Sequence, residues 1–167
     1  MKKSVLKVQM FGAYSIEYEG KPISFERNTA TKTNQLMQIL LQAGEKGVAR
    51  AKLLSDLFGD EEMSNPANSL RATVFRLRRL LAAAGLPEDE YVTIKGGSYY
   101  WTSEIPYELD AHQFEELLKK AEKENDLEKK KSYIEEACEL YRGEFLPQLG
   151  AEGWAVVLNV YYKNLFS

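Results

Sequence analysis

The sequence has only one cysteine, Cys138, and only one histidine, His112. A single cysteine cannot form a disulfide within the chain, and a zinc site built from several Cys and His ligands is excluded as well. Long apolar runs are also missing. The most apolar stretches, such as residues 36–41, fall far short of the roughly 20 residues that a transmembrane helix needs, and the N-terminal residues lack a signal-peptide core. We therefore expect a soluble, cytoplasmic protein with no membrane partner.

Catalytic motifs are missing too. No glycine-rich phosphate loop follows a predicted strand, and the carboxylates cluster on predicted helix surfaces without basic or histidine partners. His112 lies in the first turn of a predicted helix, where a side chain is usually exposed, and Cys138 lies among apolar helix positions, where we expect a buried, inert thiol. These absences favour a protein that is not an enzyme and that has no catalytic residues, metal or cofactor.

The net charge of −3 is unevenly distributed along the chain. Residues 1–102 contain 14 basic and 11 acidic side chains, whereas residues 103–167 contain 8 basic and 14 acidic ones. The acidic total argues against a nucleic-acid ligand for the chain as a whole, but the excess of acid lies entirely in the second part. The first part has a net positive charge and is compatible with DNA binding.

Hydrophobic periodicity predicts strands, three helices and then a hairpin in residues 1–104. The hairpin turns at Gly96–Gly97, because two glycines between alternating segments favour a tight turn. This order of elements is typical of a winged helix-turn-helix domain. The predicted strands cover 5–11, 14–18, 23–25, 91–94 and 99–102, and the predicted helices cover 29–44, 51–58 and 65–84, with a short link over 44–50.

Residues 105–167 are predicted to form a second, helical domain. A linker over 103–108 leads to Asp110, whose side chain can cap a helix with Gln113 in the capping-box position. The last helix keeps an apolar stripe to the end of the sequence, which predicts a fragment of a longer protein or a helix that pairs with another chain. The predicted helices cover 111–124, 127–142 and 153 onward, and the stripe contains Trp154, Val157, Leu158, Tyr161 and Leu165. The fold class is therefore α+β, a winged helix with N-terminal strands and a C-terminal wing, followed by α-helices.

The helix predicted over 65–84 has two contrasting faces. Asn65 can cap its start, and Pro66 suits the first helical position. One face is apolar and should be buried, whereas the other has four arginines and no acidic residue. The apolar face contains Leu70, Val74, Leu77 and Leu81, and the opposite side and its flanks contain Asn68, Arg71, Ala72, Phe75, Arg76, Arg78 and Arg79.

The polar face has the chemistry that reads a DNA major groove. Arginine can bond the O6/N7 edge of guanine, asparagine the N6/N7 edge of adenine, and Phe75 can contact the thymine methyl. The planar arginine fork also binds a phosphate through two hydrogen bonds. The same residues could instead be solvated arginines and a phenylalanine that packs on a neighbouring domain. The basic, small-residue turn Lys95–Ser98 favours DNA, because such a turn can approach a phosphate backbone or a minor groove closely.

Several segments of the chain resemble bacterial regulator families. Residues 36–41, 53–60, 65–70, 74–81 and 94–101 resemble the OmpR-type winged-helix domain. Farther along, residues 109–111, Phe114, Leu117, 141–146 and Trp154 resemble the start of the bacterial transcriptional activation domain of SARP-type regulators. In that family the activation domain is a longer stack of tetratricopeptide-like helix pairs, of which residues 105–167 would be the first part.

The resemblance implies a transcription regulator, of the activator kind, that binds double-stranded DNA at directly repeated half-sites. RNA polymerase and a second copy of the chain, as a homodimer, are the candidate protein partners. The alternative is a winged-helix module that binds protein without specific DNA binding, although such a module has little need for four arginines on one helix. The expected base contacts are Asn68, Arg71, Ala72 and Phe75, the expected phosphate contacts are Arg76, Arg78 and Arg79, and the expected wing contacts are Lys95 and Ser98.

Overall fold

The structure, a computed structural model, describes residues 5–23, 31–59, 65–87, 89–102, 104–150 and 152–166. These residues form short strands and six α-helices, which gives the α+β class predicted from the sequence. The strands are β1 (Leu6–Gln9), β2 (Ser15–Tyr18), β3 (Lys21–Ile23), β4 (Val48–Ala49), β5 (Val92–Lys95), β6 (Ser98–Trp101) and β7 (Tyr107–Leu109). The helices are α1 (Lys32–Ala43), α2 (Arg50–Phe58), α3 (Pro66–Ala83), α4 (Asp110–Lys123), α5 (Leu127–Leu140) and α6 (Gly153–Phe166).

The chain folds into two compact units whose segments alternate along the sequence. The first, which we call the winged-helix unit, is formed by Ile23–Pro106, and the second, the helical unit, combines Val5–Pro22 with Tyr107–Ser167. This division differs from the single predicted boundary at residue 104, because β1 and β2 belong with the C-terminal helices. The physical reason is that β1 pairs in parallel with β7, with Leu6 opposite Tyr107.

The winged-helix unit contains α1, α2 and α3 and a three-stranded sheet in the order β4-β6-β5. Both strand pairs are antiparallel, with Val48 opposite Tyr99 and Val92 opposite Trp101. Thr31 caps the start of helix α1, because its side chain accepts a hydrogen bond from the Asn34 backbone N–H at 3.2 Å. The end of the predicted strand over 23–25 and the predicted helix start at residue 29 lie outside the described residues.

A polar side chain interrupts the apolar core of the winged-helix unit. Gln38 on α1 is 0% exposed, and neither its Oε1 nor its Nε2 has a hydrogen-bond partner among the described residues. A buried amide without partners costs free energy because it has lost its water and gained no other bond. The apolar core around the three helices contains Leu36, Leu40, Leu53, Leu57, Leu70, Val74, Leu77 and Leu81.

Gln38→Met should therefore stabilise the protein. Methionine has a similar length and shape but no group that needs a hydrogen bond, so we expect the free energy of unfolding to rise by about 1 kcal/mol or more. Urea denaturation followed by circular dichroism measures this change. The same substitution at the exposed Gln148 should leave stability within about 0.5 kcal/mol. A lower free energy of unfolding in Gln38→Met would contradict the conclusion that the Gln38 amide has no hydrogen-bond partner.

The helical unit is built on a four-stranded sheet in the order β3-β2-β1-β7. Strand β7 falls partly within the predicted linker over 103–108, where three residues after a proline give too short an alternation to predict a strand. The aromatic ring of Phe11 lies at the centre of a cluster of four other rings. Its ring centroid lies 5.3 Å from Phe114, 4.8 Å from Tyr141, 6.3 Å from Phe145 and 5.2 Å from Tyr162.

Asp110 joins α4 to the strand segment at the start of the chain. Its carboxylate accepts hydrogen bonds from the backbone N–H groups of Met10 at 2.8 Å and Phe11 at 3.0 Å, and from Ala111 at 2.8 Å. The predicted capping box is therefore wrong, because Asp110 is the first residue of α4 and the cap position is Leu109, which makes no side-chain cap bond. Burial raises the pKa of Asp110, although these three donors act in the opposite direction.

The segment after α5 also packs on the first strands. Helix α5 ends at Leu140, two residues before the predicted end, and Phe145 then forms an antiparallel bridge with Phe11. The Leu146 N–H donates to the Met10 carbonyl at 2.8 Å. Of the two single-copy residues, His112 is half-buried rather than exposed, and Cys138 is exposed rather than buried, which corrects both predictions.

Helix α6 buries one face and exposes much apolar surface on the other. Trp154, Ala155 and Tyr162 are buried, so Trp154 is not part of an exposed stripe. The exposed apolar side chains of α6 are Val156, Val157, Val160, Tyr161, Leu165 and Phe166. Among the helices of the described residues, none has both the length and the apolar character that a membrane crossing requires.

Candidate nucleic-acid interface

Helix α3 begins with the cap that the sequence predicts. The Asn65 side chain accepts a hydrogen bond from the Asn68 backbone N–H at 3.1 Å, and Pro66 occupies the first turn, where its missing N–H costs nothing. The helix ends at Ala83, one residue before the predicted end. The cap and the proline thus determine where α3 begins.

The two faces of α3 are separated as the periodicity predicts. Leu70, Val74, Leu77 and Leu81 are all buried. All of the residues predicted to contact DNA from this helix are exposed. Because they recur every three or four positions, they form one continuous surface. We call this surface the α3 face; it consists of Asn68, Arg71, Ala72, Phe75, Arg76, Arg78 and Arg79.

The α3 face has four positive charges and no acidic side chain between Asn65 and Ala84. A dense positive surface of this kind attracts a polyanion and raises its association rate. The arrangement also offers planar guanidinium groups, one amide and one aromatic ring, which suit both phosphate and base-edge contacts. The chemistry of the α3 face therefore matches a nucleic-acid groove.

Arg78 has a structural role in addition to its charge. Its Nη2 donates a hydrogen bond to the Val92 carbonyl on β5 at 2.9 Å. This bond ties the C-terminal half of α3 to the first strand of the hairpin. Sequence reasoning missed the contact, because nothing in the local pattern indicates which arginine of the helix reaches the neighbouring strand.

Phe75 and Arg79 contact each other on the α3 face. The Phe75 side chain is 62% exposed, and the Arg79 guanidinium carbon lies 5.8 Å from the centre of its ring. This distance is within the range of a cation–π interaction. The two residues are one helical turn apart, so the contact is formed within α3 and needs no other element.

The predicted wing is the hairpin of β5 and β6. Gly96 and Gly97 have φ angles of 58° and 78°, in the left-handed region that a two-residue hairpin turn requires. Lys95, Gly96 and Gly97 are exposed and Ser98 is half-buried, and a Cβ placed at either glycine would meet no atom within 4 Å. The Arg50 N–H donates to the Gly97 carbonyl at 3.0 Å, which anchors the turn to the start of α2.

Ile94 is a candidate residue of the wing that sequence reasoning missed. It is 50% exposed next to Lys95, although strand alternation with the buried Val92 would place it inside. Among the described residues of the winged-helix unit, the large apolar side chains that are exposed are Phe75 and Ile94. One lies on α3 and the other on β5, the two elements that Arg78 connects.

Metal binding depends on groups of side chains such as His, Cys, Asp and Glu. Within the described ranges of the chain, no three His, Cys, Asp or Glu side chains are grouped so that they could hold a metal ion. The polar side chains of the α3 face and of the turn Lys95–Ser98 are cations, an amide and a hydroxyl, namely the four arginines, Lys95, Asn68 and Ser98.

Comparisons with known proteins give one clear result, which concerns the fold. The chain aligns over 99% of its length with the structure of Mycobacterium tuberculosis EmbR in complex with a low affinity phosphopeptide, with a TM-score of 0.76 and 16% identity. Its fold is similar to that of EmbR. The winged helix followed by helices, expected from the sequence, is thus an arrangement that a solved protein shares.

The sequence comparisons are weaker. The chain is 28% identical over 120 residues to protein RcaC of Microchaete diplosiphon, an alignment that covers 66% of this chain and 18% of RcaC. The chain also covers 43% of EmbR, so it spans less than half the length of either protein. No protein-family model matches the sequence.

Proposed function

We propose that the protein is a transcription regulator of the SARP kind that binds double-stranded DNA in a sequence-specific way. The observation that carries the proposal is the α3 face, which presents four arginines, Asn68 and Phe75 to solvent without an acidic residue. The fold that the chain shares with EmbR supports this class of function. A regulator that binds bacterial DNA works in the cytoplasm.

In this proposal α3 enters the major groove and the wing contacts the adjacent backbone or minor groove. Phosphate contacts supply most of the affinity, and a few base-edge contacts supply the sequence preference. Base contacts come from Asn68, Arg71, Ala72 and Phe75, phosphate contacts from Arg76, Arg78 and Arg79, and wing contacts from Lys95 and Ser98.

The helical unit completes the proposed regulator as its activation part. Its tetratricopeptide-like character, a contact with RNA polymerase, the formation of a homodimer and the binding of direct repeats all belong to the proposal. The acidic charge of residues 103–167 supports a protein partner for this part, because it would repel DNA.

A second candidate function is a protein-binding winged helix. The exposed Phe75 and Ile94 favour it, because protein interfaces typically have apolar and aromatic side chains surrounded by a polar rim. The two functions differ in their dependence on salt, since DNA binding releases counterions and weakens steeply as salt rises.

Selection of bound sequences from a random duplex library, followed by affinity measurements against salt, tests the proposal. We expect enrichment of a short motif, repeated at about one helical turn of DNA. Binding of the enriched duplex should exceed binding of a scrambled duplex at every salt concentration. The absence of any enriched motif would contradict a sequence-specific regulator and favour the protein-binding module.

Two arginines of the α3 face should respond differently to substitution. Arg71→Ala should lower affinity for the selected duplex roughly ten-fold while leaving affinity for scrambled DNA nearly unchanged, because it removes a base contact. Arg76→Ala should weaken both duplexes alike and reduce the salt slope by about one, because it removes a phosphate contact.

Lys120→Ala on α4 is the matched control, since it removes one exposed positive charge outside the winged-helix unit and should change neither quantity. Equal effects of the two arginine variants on both duplexes would contradict the assigned division between base and phosphate contacts.

A further inference from the structure

The one large apolar side chain of the α3 face lies near the middle of the helix. Phe75 occupies the middle of the 18-residue helix α3 and is 62% exposed, between Arg71 on one turn and Arg79 on the next. Asn65 fixes the start of the helix by its cap, so the position of Phe75 along the helix is determined by the fold.

A major groove contains one kind of apolar group at its base edges. The 5-methyl group of thymine projects into the groove, whereas the other base edges there present hydrogen-bond donors and acceptors. An apolar ring at the centre of a groove-binding helix gains free energy when it buries against such a methyl and gains less against a polar edge. The ring of Phe75 therefore favours a pyrimidine that carries a 5-methyl group.

Arg79 restricts the ring before DNA binds. Its guanidinium carbon lies 5.8 Å from the ring centre, and at an exposed site such a contact weakly favours one ring orientation. A side chain whose motion is already restricted loses less conformational freedom on binding, which raises affinity for the group that it contacts. Arg79 thus acts as a positioning residue for Phe75, in addition to its proposed phosphate contact.

We infer that Phe75, held by Arg79, reads the 5-methyl group of one pyrimidine in the DNA target. This inference rests on the proposed function and specifies it, since it names the chemical group that the central residue of α3 recognises. Because 5-methylcytosine carries its methyl group at the same ring position as thymine, the same contact makes binding sensitive to cytosine methylation at that base pair.

Replacement of single thymines by deoxyuridine tests the inference with the full chain. Deoxyuridine lacks only the methyl group and keeps the Watson–Crick edge and the O4 acceptor. In the duplex obtained by selection, we expect replacement at one position to lower affinity about four-fold, the loss expected for one buried methyl-sized group. Replacement of the other thymines should have little effect.

Phe75→Ala and Arg79→Lys identify the residues responsible. Phe75→Ala should bind the thymine and deoxyuridine duplexes equally, and thermal unfolding should match the original protein because the side chain is exposed. Arg79→Lys keeps the charge, so the salt slope should persist while the thymine-to-deoxyuridine ratio falls. At the responsive position, 5-methylcytosine should bind more tightly than cytosine by a similar factor.

The outcomes separate this inference from the proposed function. Failure to select any motif overturns both. A selected motif whose binding ignores every thymine methyl, or a methyl effect that persists unchanged in Phe75→Ala, overturns the inference and leaves the proposed function standing.

Discussion

Replacement of Gly47 by alanine should lower the thermal midpoint of the winged-helix unit by about 12 °C or more, which corresponds to about 3 kcal/mol. Gly47 has φ 68° and ψ −173°, a conformation that is essentially restricted to glycine. A Cβ at this position would also lie 2.9 Å from the Tyr99 carbonyl oxygen, and even closer to the Tyr100 ring. The new methyl would push against the backbone of β6, which pairs with β4 at the next residue.

Gly85→Ala is the matched control for this prediction. Gly85 has φ 84°, but a Cβ there would meet no atom within 4 Å, so alanine would add backbone strain without a clash. We expect the free energy of unfolding to fall by about 1 kcal/mol, which corresponds to a decrease in the thermal midpoint of roughly 4–8 °C. The chain has two tryptophans, and Trp101, which is 7% exposed, reports on this unit when Trp154 is replaced by phenylalanine. Equal losses in the two alanine variants would show that the close approach of Gly47 to β6 contributes nothing.

Replacement of Asp110 by alanine should cost the helical unit about 3 kcal/mol or more. The change leaves the backbone N–H groups of Met10 and Phe11 buried without their acceptor, and each such group costs about 1–3 kcal/mol. Both bonds connect the start of α4 to the end of β1, so their loss should loosen the sheet from the helices. Asp110→Asn keeps one acceptor oxygen, so this variant should lose less stability than Asp110→Ala.

The measurement uses Trp154 as the reporter of the helical unit, in a chain where Trp101 is phenylalanine. Asp126→Ala is the control, because Asp126 also accepts two backbone N–H bonds, from Glu128 and Lys129, but at an exposed helix start. That variant should lose only about 1 kcal/mol. If Asp110→Ala lowered the free energy of unfolding by no more than Asp126→Ala does, the stabilising role of the buried carboxylate would be contradicted.

Elements with strong local signals could be predicted from the sequence. Helix α3 begins and ends within one residue of its predicted bounds, because a capping asparagine, a proline and an apolar period all point to the same helix. The Gly96–Gly97 turn was predicted for a similar reason, since positive φ at two successive residues selects glycine. In both cases the residues that determine the structure are neighbours in the sequence.

Elements that depend on distant partners could not be predicted. Strand β4 has two residues and β7 has three, so neither contains enough alternation to be distinguished from a loop. The parallel pairing of β1 with β7 joins residues about 100 positions apart and leaves no local pattern. The same distance hides the function of Asp110, whose partners Met10 and Phe11 lie at the other end of the sequence.

In the candidate site, too, the features set by neighbouring residues could be predicted and those set by distant residues could not. The exposure of the α3 face was predictable from one helix alone, because side chains three or four positions apart lie on the same face of a helix. The bond from Arg78 to the Val92 carbonyl and the exposure of Ile94 depend on how β5 lies beside α3, which periodicity does not determine. Which residues touch DNA stays a prediction.

The alternation of the two units has a consequence for the order in which the protein is made. A ribosome synthesises β1 and β2 before Ile23–Pro106, and it synthesises β7 only after that whole segment. At about 5–20 residues per second this interval lasts roughly 4–17 seconds. During this interval β1, β2 and β3 have neither β7 nor the C-terminal helices to pack against, so their sheet stays incomplete until β7 is made. The helical unit is therefore completed only after the winged-helix unit has been synthesised, although β1 and β2 precede that unit in the sequence.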